Sequence, residues 1–174
     1  METFKQNRKY LTYLIVVTVL ALAVNVFIIV QSCLNGNQST NAASPIVDMC
    51  KAIVNLFSKN AINDSNIDTF TLVIRKLFGH FGLYALSGLL TSSALLMWIK
   101  PLKWFKYYLF LIIDLSFGLL FSLFTELIQL FTPGRSGQIL DSLIDFGGYI
   151  FGTLIIILML YLAIRKRNKM LIRQ

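Results

Sequence analysis

The apolar positions of this chain fall in long unbroken runs rather than in the alternations or narrow stripes of a soluble domain. Four runs are long enough to cross roughly 30 Å of hydrocarbon as helices of about 20 residues each. They cover Tyr10–Val30, Phe78–Ile99, Tyr107–Leu130 and Leu140–Ile164. The first holds no charged residue and outruns the roughly 7–15 apolar residues of a cleavable signal peptide, so it reads as a retained span. The pattern predicts an all-α fold: a polytopic four-transmembrane-helix bundle, one membrane domain over the whole chain. The connection over residues 31–76 has structure of its own. Ser44-Pro45 offers a cap followed by proline in a first helical turn, and Ile46, Met49, Cys50, Ile53, Val54 and Phe57 then recur on one helical face. This predicts a short interfacial helix over about residues 45–58. The Asn-, Ser- and Gly-rich stretches Asn35–Ala43 and Asn60–Asn66 read as linkers on either side.

Composition agrees, with 56% hydrophobic and only 14% charged residues in 174. The net charge of +8 could suggest a nucleic-acid partner, but in a membrane chain the placement of charge matters more than its sum. Lys5, Arg8 and Lys9 precede the first span, Lys100, Lys103 and Lys106 link the second and third, and Arg165, Lys166, Arg167, Lys169 and Arg173 follow the fourth. With four spans these clusters share a side, which the positive-inside rule makes the cytoplasm. Both termini are then inside, and no nucleic acid is expected. Cys33 and Cys50 fall on the outer side and are expected as free thiols, too few for a disulfide scaffold or a thiolate metal site.

Charged and polar groups near hydrocarbon mark function by default. Lys76, His80 and Tyr84 stand four apart at the outer start of the second span; Glu126 and Gln129 stand three apart at the outer end of the third. Pro133-Gly134-Arg135 makes a tight turn, and Asp141 and Asp145 stand four apart at the start of the fourth span. Residues three or four apart share a helix face, so each helix contributes a polar stripe and all meet at one depth. Two carboxylates one turn apart repel unless a cation lies between them, and Arg135 is the expected cation. The same faces continue inward through small residues, Gly148 and Gly152 below Asp145, Gly118 below Glu126, and Ser87, Gly88 and Thr91 below Tyr84. In lipid such residues let helices approach closely, which makes these faces the helix contacts. The first span has no such stripe and is expected outside the contact. Asp114, about 18 Å inward of Glu126 by helical rise, reads as a paired packing residue. A plainer reading stands beside the functional one: an ion-pair cluster that only ties the helix ends together.

The segments Lys76-Leu77-Phe78-Gly79-His80-Phe81-Gly82-Leu83-Tyr84 and Glu126-Leu127-Ile128-Gln129-Leu130-Phe131-Thr132-Pro133-Gly134-Arg135, with Asp141, Asp145, Gly148 and Gly152, resemble the VanZ-like membrane protein family over about residues 70–165. Asp145 departs from the pattern, which more often carries asparagine there. The resemblance implies a multi-pass protein of the bacterial plasma membrane linked to low-level resistance to teicoplanin and similar lipid-tailed glycopeptides. It gives no reaction mechanism and implies no cofactor.

Three classes of function stay open on the residues. One is non-catalytic binding or shielding of a lipid-linked peptidoglycan precursor or a lipoglycopeptide at the outer face, with membrane lipids around it. Here Arg135 and Lys76 would meet anionic groups, Tyr84 and His80 would hydrogen-bond, and Glu126, Asp141 and Asp145 would orient the cations. Another is an intramembrane enzyme acting on such a precursor or its phosphate, with His80 as general base and the acidic pair holding a divalent metal, though no nucleophile elbow, His-Glu-x-x-His or phosphate loop is present; the binding reading expects no metal. The third is transport, for which Asp114 would have to be the essential carboxylate.

Overall fold

The computed structural model describes residues 2–101 and 106–172, and its regular elements are all helical. Lys103 and Arg173 of the expected basic clusters lie outside the described residues, as do the side chains of Lys5 and Arg167. In order, the elements are α1 (Glu2–Cys33), α2 (Gly36–Phe57), α3 (Ile67–Ile74), a π-helical segment (Arg75–Gly82), α4 (Leu83–Ile99), α5 (Tyr107–Leu130) and α6 (Ile139–Ile172). The helix does not break between α3 and α4, so four helices are long and apolar enough to cross a membrane: Arg8–Cys33, Ile67–Ile99, Tyr107–Leu130 and Ile139–Met170. The all-α, four-span expectation therefore stands.

Two helices begin earlier than their hydropathy suggests. The second spanning helix starts at Ile67 rather than Phe78. Arg75 and Lys76 are charged but are good helix formers, so they interrupt the apolar run without interrupting the backbone. α2 starts at Gly36, not near Pro45, and the expected linker over Asn35–Ala43 is instead helix. Asn35 forms a capping box there: its side chain accepts from the Gln38 amide while the Gln38 side chain accepts from the Asn35 amide. Pro45 lies inside this helix and cannot donate to the carbonyl of Asn41, one turn back. The Ser44 hydroxyl donates to that oxygen at 2.9 Å, so the acceptor is satisfied and the helix runs on.

The centre of the bundle is the pair α4 and α6, which run parallel and touch backbone to backbone. A Cβ on Gly148 would lie 2.3 Å from the carbonyl oxygen of Phe81, one on Gly152 would lie 2.0 Å from that of Ala85, and one on Gly88 would lie 2.1 Å from that of Tyr149. Gly118 of α5 makes room in the same way for the Tyr149 ring. The small-residue faces are the helix contacts, as the pattern predicts.

The first span corrects an expectation. α1 packs on α4 and α5 rather than standing outside, with Ile28 buried against Tyr84, Phe121 and Tyr149. Its Asn25 amide donates to Thr91 Oγ1 at 3.1 Å and accepts from Ser87 Oγ at 2.6 Å. Nearer the other end of the span, the Trp98 indole donates to Thr18 Oγ1 at 3.0 Å and the Tyr10 hydroxyl donates to Met97 O, so three polar residues of α1 hold it to α4.

Lipid-facing surfaces are apolar and the interior is polar, the reverse of a water-soluble protein. Leu120, Leu158 and Met159 are among the exposed residues, while Ser87, Ser92, Asp114, Thr125, Asp145 and Thr153 are almost wholly buried. Asp114 accepts from Tyr149 on one oxygen and from Ser92 and Thr153 on the other, at 2.8–3.0 Å. That supplies in protein what water cannot supply at this depth.

Adding a branched side chain at Gly152 must push α4 from α6. Gly152→Val is expected to destabilise the protein by about 1–3 kcal/mol, the usual range for overpacking, lowering the midpoint of thermal unfolding in detergent. Gly147→Ala, at a position where an added Cβ meets nothing within 4 Å, is expected to leave the midpoint nearly unchanged.

Candidate functional site

The site sits at the end of the bundle where the π segment, the α5–α6 turn and the start of α6 come together with the corner between α1 and α2. Three features place it there. The Leu83 amide donates to Phe78 O, five residues back, which is the wide-turn bond of a π-helix. Such turns are rare and recur at functional positions. The turn over Pro133–Gly134, with Gly134 at φ 72°, brings the chain back towards α1 and α2. Gly36 packs directly on it: its amide donates to Pro133 O at 3.1 Å, and a Cβ there would lie 2.2 Å from Gly134 O.

Because α3–α4 and α6 run parallel, polar residues four apart on one helix meet residues four apart on the other. Lys76 Nζ lies 2.5 Å from Asp141 Oδ1, and His80 Nδ1 lies 3.0 Å from Asp145 Oδ1. Tyr84, one turn deeper, hydrogen-bonds Thr125 of α5. Glu126 Oε1 accepts from the Gln138 amide at 2.5 Å, capping the approach to α6 with a carboxylate where the helix dipole favours one. The two acids of α6 thus each have their own partner, the Lys76 ammonium for Asp141 and the His80 imidazole for Asp145.

That pairing overturns the expectation that Arg135 neutralises Asp141 and Asp145. Arg135 turns the other way and donates from Nη1 to Gln31 O at 2.9 Å and to Leu34 O at 3.5 Å. These are carbonyls at the end of α1, which a helix leaves unpaired and which carry its negative dipole. Thr132 Oγ1 reaches Ser32 O at 3.2 Å beside them. Burial holds the Arg135 guanidinium below its ordinary pKa, and the charge of Arg75 pushes it the same way.

Two adjoining cavities open from this cluster. The larger, about 630 Å³, is polar and lined by Arg75, Lys76, His80, Gln129, Arg135 and Asp141, with backbone from the two turns. The smaller, about 310 Å³, lies between α1, α2 and the π segment and is lined mainly by apolar side chains such as Phe27, Ile28, Ile46, Ile74, Phe78 and Leu83. His80, Gln129, Arg135 and Arg75 line both. Of the residues singled out by spacing, Lys76, His80, Gln129, Arg135 and Asp141 therefore share the polar cavity, and Tyr84 and Asp145 line the apolar one. Glu126 is buried behind them.

Arg75 is absent from the polar stripes that spacing singles out, yet it lines both cavities. Its guanidinium donates to Thr40 Oγ1 at 3.3 Å and Ser39 Oγ at 3.0 Å, both in the stretch taken for a linker. Its position next to Lys76 within one helical turn was the available signal. Two buried carboxylate oxygens, Glu126 Oε2 and Asp145 Oδ2, have no hydrogen-bond partner. Among the described residues no three His, Cys, Asp or Glu side chains gather as a metal-ligand set, and both cysteines are free.

Fold and site define a multi-span helical membrane protein with a charged cleft at one end of its bundle. The chain belongs to the VanZ/LLP1 family, whose sequence model matches residues 10–161, a stretch that contains every residue of the cleft. No curated protein and no solved structure matches it.

The ladder of pairs makes a coupling prediction. Asp141→Leu strands the Lys76 ammonium in a half-buried place and is expected to destabilise the protein by about 1–3 kcal/mol. Lys76→Met with Asp141→Leu is expected to recover most of that loss. A double-mutant cycle on unfolding in detergent measures it, and simple additivity of the two single effects would count against the pair.

Proposed function

We propose that this chain is a non-catalytic resistance factor of the bacterial plasma membrane, the teicoplanin resistance member of its family. On this reading it binds or shields a lipid-linked peptidoglycan precursor, or a lipoglycopeptide anchored by its own tail, at the outer face. Family membership supports a role in antibiotic resistance. The observation that carries the rest is the joined pair of cavities, a polar one rimmed by cations and an apolar one beside it, which suits a ligand with a charged head and a hydrocarbon tail.

Sidedness supports the outer location. Lys100, Lys106, Arg165, Lys166 and Lys169 belong to the end of the bundle away from the cleft, and an excess of cations marks the cytoplasmic side. Both termini are then inside, and α2 lies in the outer headgroup layer with Met49, Ile53, Leu56 and Phe57 exposed towards lipid. Lys76 and Asp141 hold the wall of the cleft, while Arg135 and His80 face the ligand.

One observation favours a second reading. Asp145 bonds His80 through one oxygen and leaves its other, buried oxygen unpartnered, an arrangement that serves proton transfer to a bound precursor. Turnover of a labelled lipid-linked precursor by the purified protein would establish that reading and displace the first.

Arg135→Ala is expected to abolish the resistance phenotype at unchanged protein abundance, read as the inhibitory concentration of teicoplanin beside an immunoblot of the membrane fraction. Resistance that persists at normal abundance would refute the binding role. Single-cysteine variants at Ser136 and at Lys106, in a background lacking Cys33 and Cys50, are expected to react with an impermeant reagent from outside only at Ser136.

A further inference from the structure

Two cations of the cleft have no acid in contact with them. Lys76 is matched by Asp141, and His80 by Asp145. Arg75 and Arg135 have no carboxylate within salt-bridge distance among the described residues; their donors go to the hydroxyls of Ser39 and Thr40 and to the carbonyls of Gln31 and Leu34. Both are half-buried and both line both cavities; Arg75 repels Arg135, while Glu126, Asp141 and Asp145 attract it from beyond salt-bridge distance, each more weakly than Arg75 repels it. Two like charges lining one cavity, with no acid in contact, are drawn together more favourably by an anion placed between them. A guanidinium offers planar paired donors that suit phosphate oxygens, and a phosphate monoester carries about the charge of two arginines.

The neighbouring apolar slot says what else such an anion carries. At about 30 Å³ for each water-sized group, its 310 Å³ holds about ten such groups, a single hydrocarbon chain rather than two. Phe27, Ile46 and Phe78 on its rim are partly exposed at the protein surface, so a chain enters from outside rather than through the core. The polar cavity, twice that volume, leaves room beyond one phosphate for further polar groups.

We infer that Arg75 and Arg135 form a two-guanidinium clamp for the phosphate of a single-chain lipid, whose hydrocarbon chain lies in the slot between α1, α2 and the π segment. This takes from the preceding reading only that the cleft binds a ligand. It adds a residue outside the expected site, Arg75, and a ligand class, a lipid phosphate with one chain in place.

The test uses the full chain in detergent micelles and three probes: lysophosphatidic acid, the uncharged monoacylglycerol of the same chain length, and inorganic phosphate, with binding read by native mass spectrometry and thermal shift. Lysophosphatidic acid is expected to bind at least about tenfold more tightly than either other probe, or about 1.4 kcal/mol. Arg75→Gln is expected to weaken it about tenfold or more, since this side chain bonds only two hydroxyls and its loss leaves the fold intact. Ala43→Phe, which fills the slot, is expected to weaken lysophosphatidic acid by a similar factor and to leave inorganic phosphate unaffected.

Equal binding of monoacylglycerol would overturn the clamp, and that arm needs no substitution. Inorganic phosphate binding as tightly as the lipid, or indifference of the lipid to Ala43→Phe, would make this a free-anion site and overturn the slot. Unchanged lipid binding in Arg75→Gln, together with lost resistance in Arg135→Ala, would sink the clamp and leave the resistance reading standing. The reverse pair of results would keep the clamp and sink that reading.

Discussion

In hydrocarbon two helices gain nothing by hiding apolar side chains from each other, because lipid tails are equally apolar. What holds them is close packing and polar contact, and both need the backbones near one another. The parallel contact of α4 and α6 meets this condition through Gly88, Gly148 and Gly152, each lying where a Cβ would strike a facing carbonyl. The cleft depends on that contact. Only with the two backbones so near do Lys76 and His80 reach Asp141 and Asp145 with short, direct bonds. Below them the same closeness lets Ser92 of α4 and Thr153 of α6 share one carboxylate, Asp114 of α5, so three helices meet on one acid.

Charge at the cleft is sorted rather than pooled. Each acid of α6 has its own partner on the π segment, Lys76 or His80, and Glu126 takes the amide of Gln138. The cations left over point towards helix ends and hydroxyls, partners that hold a guanidinium without neutralising it. Structural pairs therefore build the walls, and unneutralised charge lines the space between them. This distinction separates the pairs that brace the helix ends from the charges that line the open cleft.

How much of this could be read from residues alone depended on whether a local pattern or a long-range contact decided the matter. The four spans were legible because about 20 apolar residues in a row have one stable form in lipid. The glycine faces were legible because their spacing repeats on a helix. Helix starts were not, since the hydropathy of Asn35–Ala43 is that of a loop, and only the reciprocal bonds of Asn35 and Gln38 make it helix. Spacing brought Lys76, His80, Gln129, Arg135 and Asp141 to one end but could not choose among partners. Arg135 was assigned the acids nearest in sequence, whereas the chain ends of α1, more than a hundred residues away, supply its acceptors. Asn25 and Arg75 escaped because each is a single polar residue whose partners lie on another helix.

The π segment has a further effect on how the protein can vary. A turn that closes five residues back holds one residue more than the ordinary ladder, and each residue of an α-helix rotates the chain by about 100°. Arg75 bonds α2 while its neighbour Lys76 bonds α6, as adjacent residues of a helix point to different walls. Removing one residue from Arg75–Gly82 would tighten the coil and swing α3 around the axis, while α4 stayed locked to α6 by its glycines. The third of this span nearest the cleft is geared separately from the remainder, and an evolving lineage can retune the mouth of the cleft by insertion or deletion there without disturbing the core.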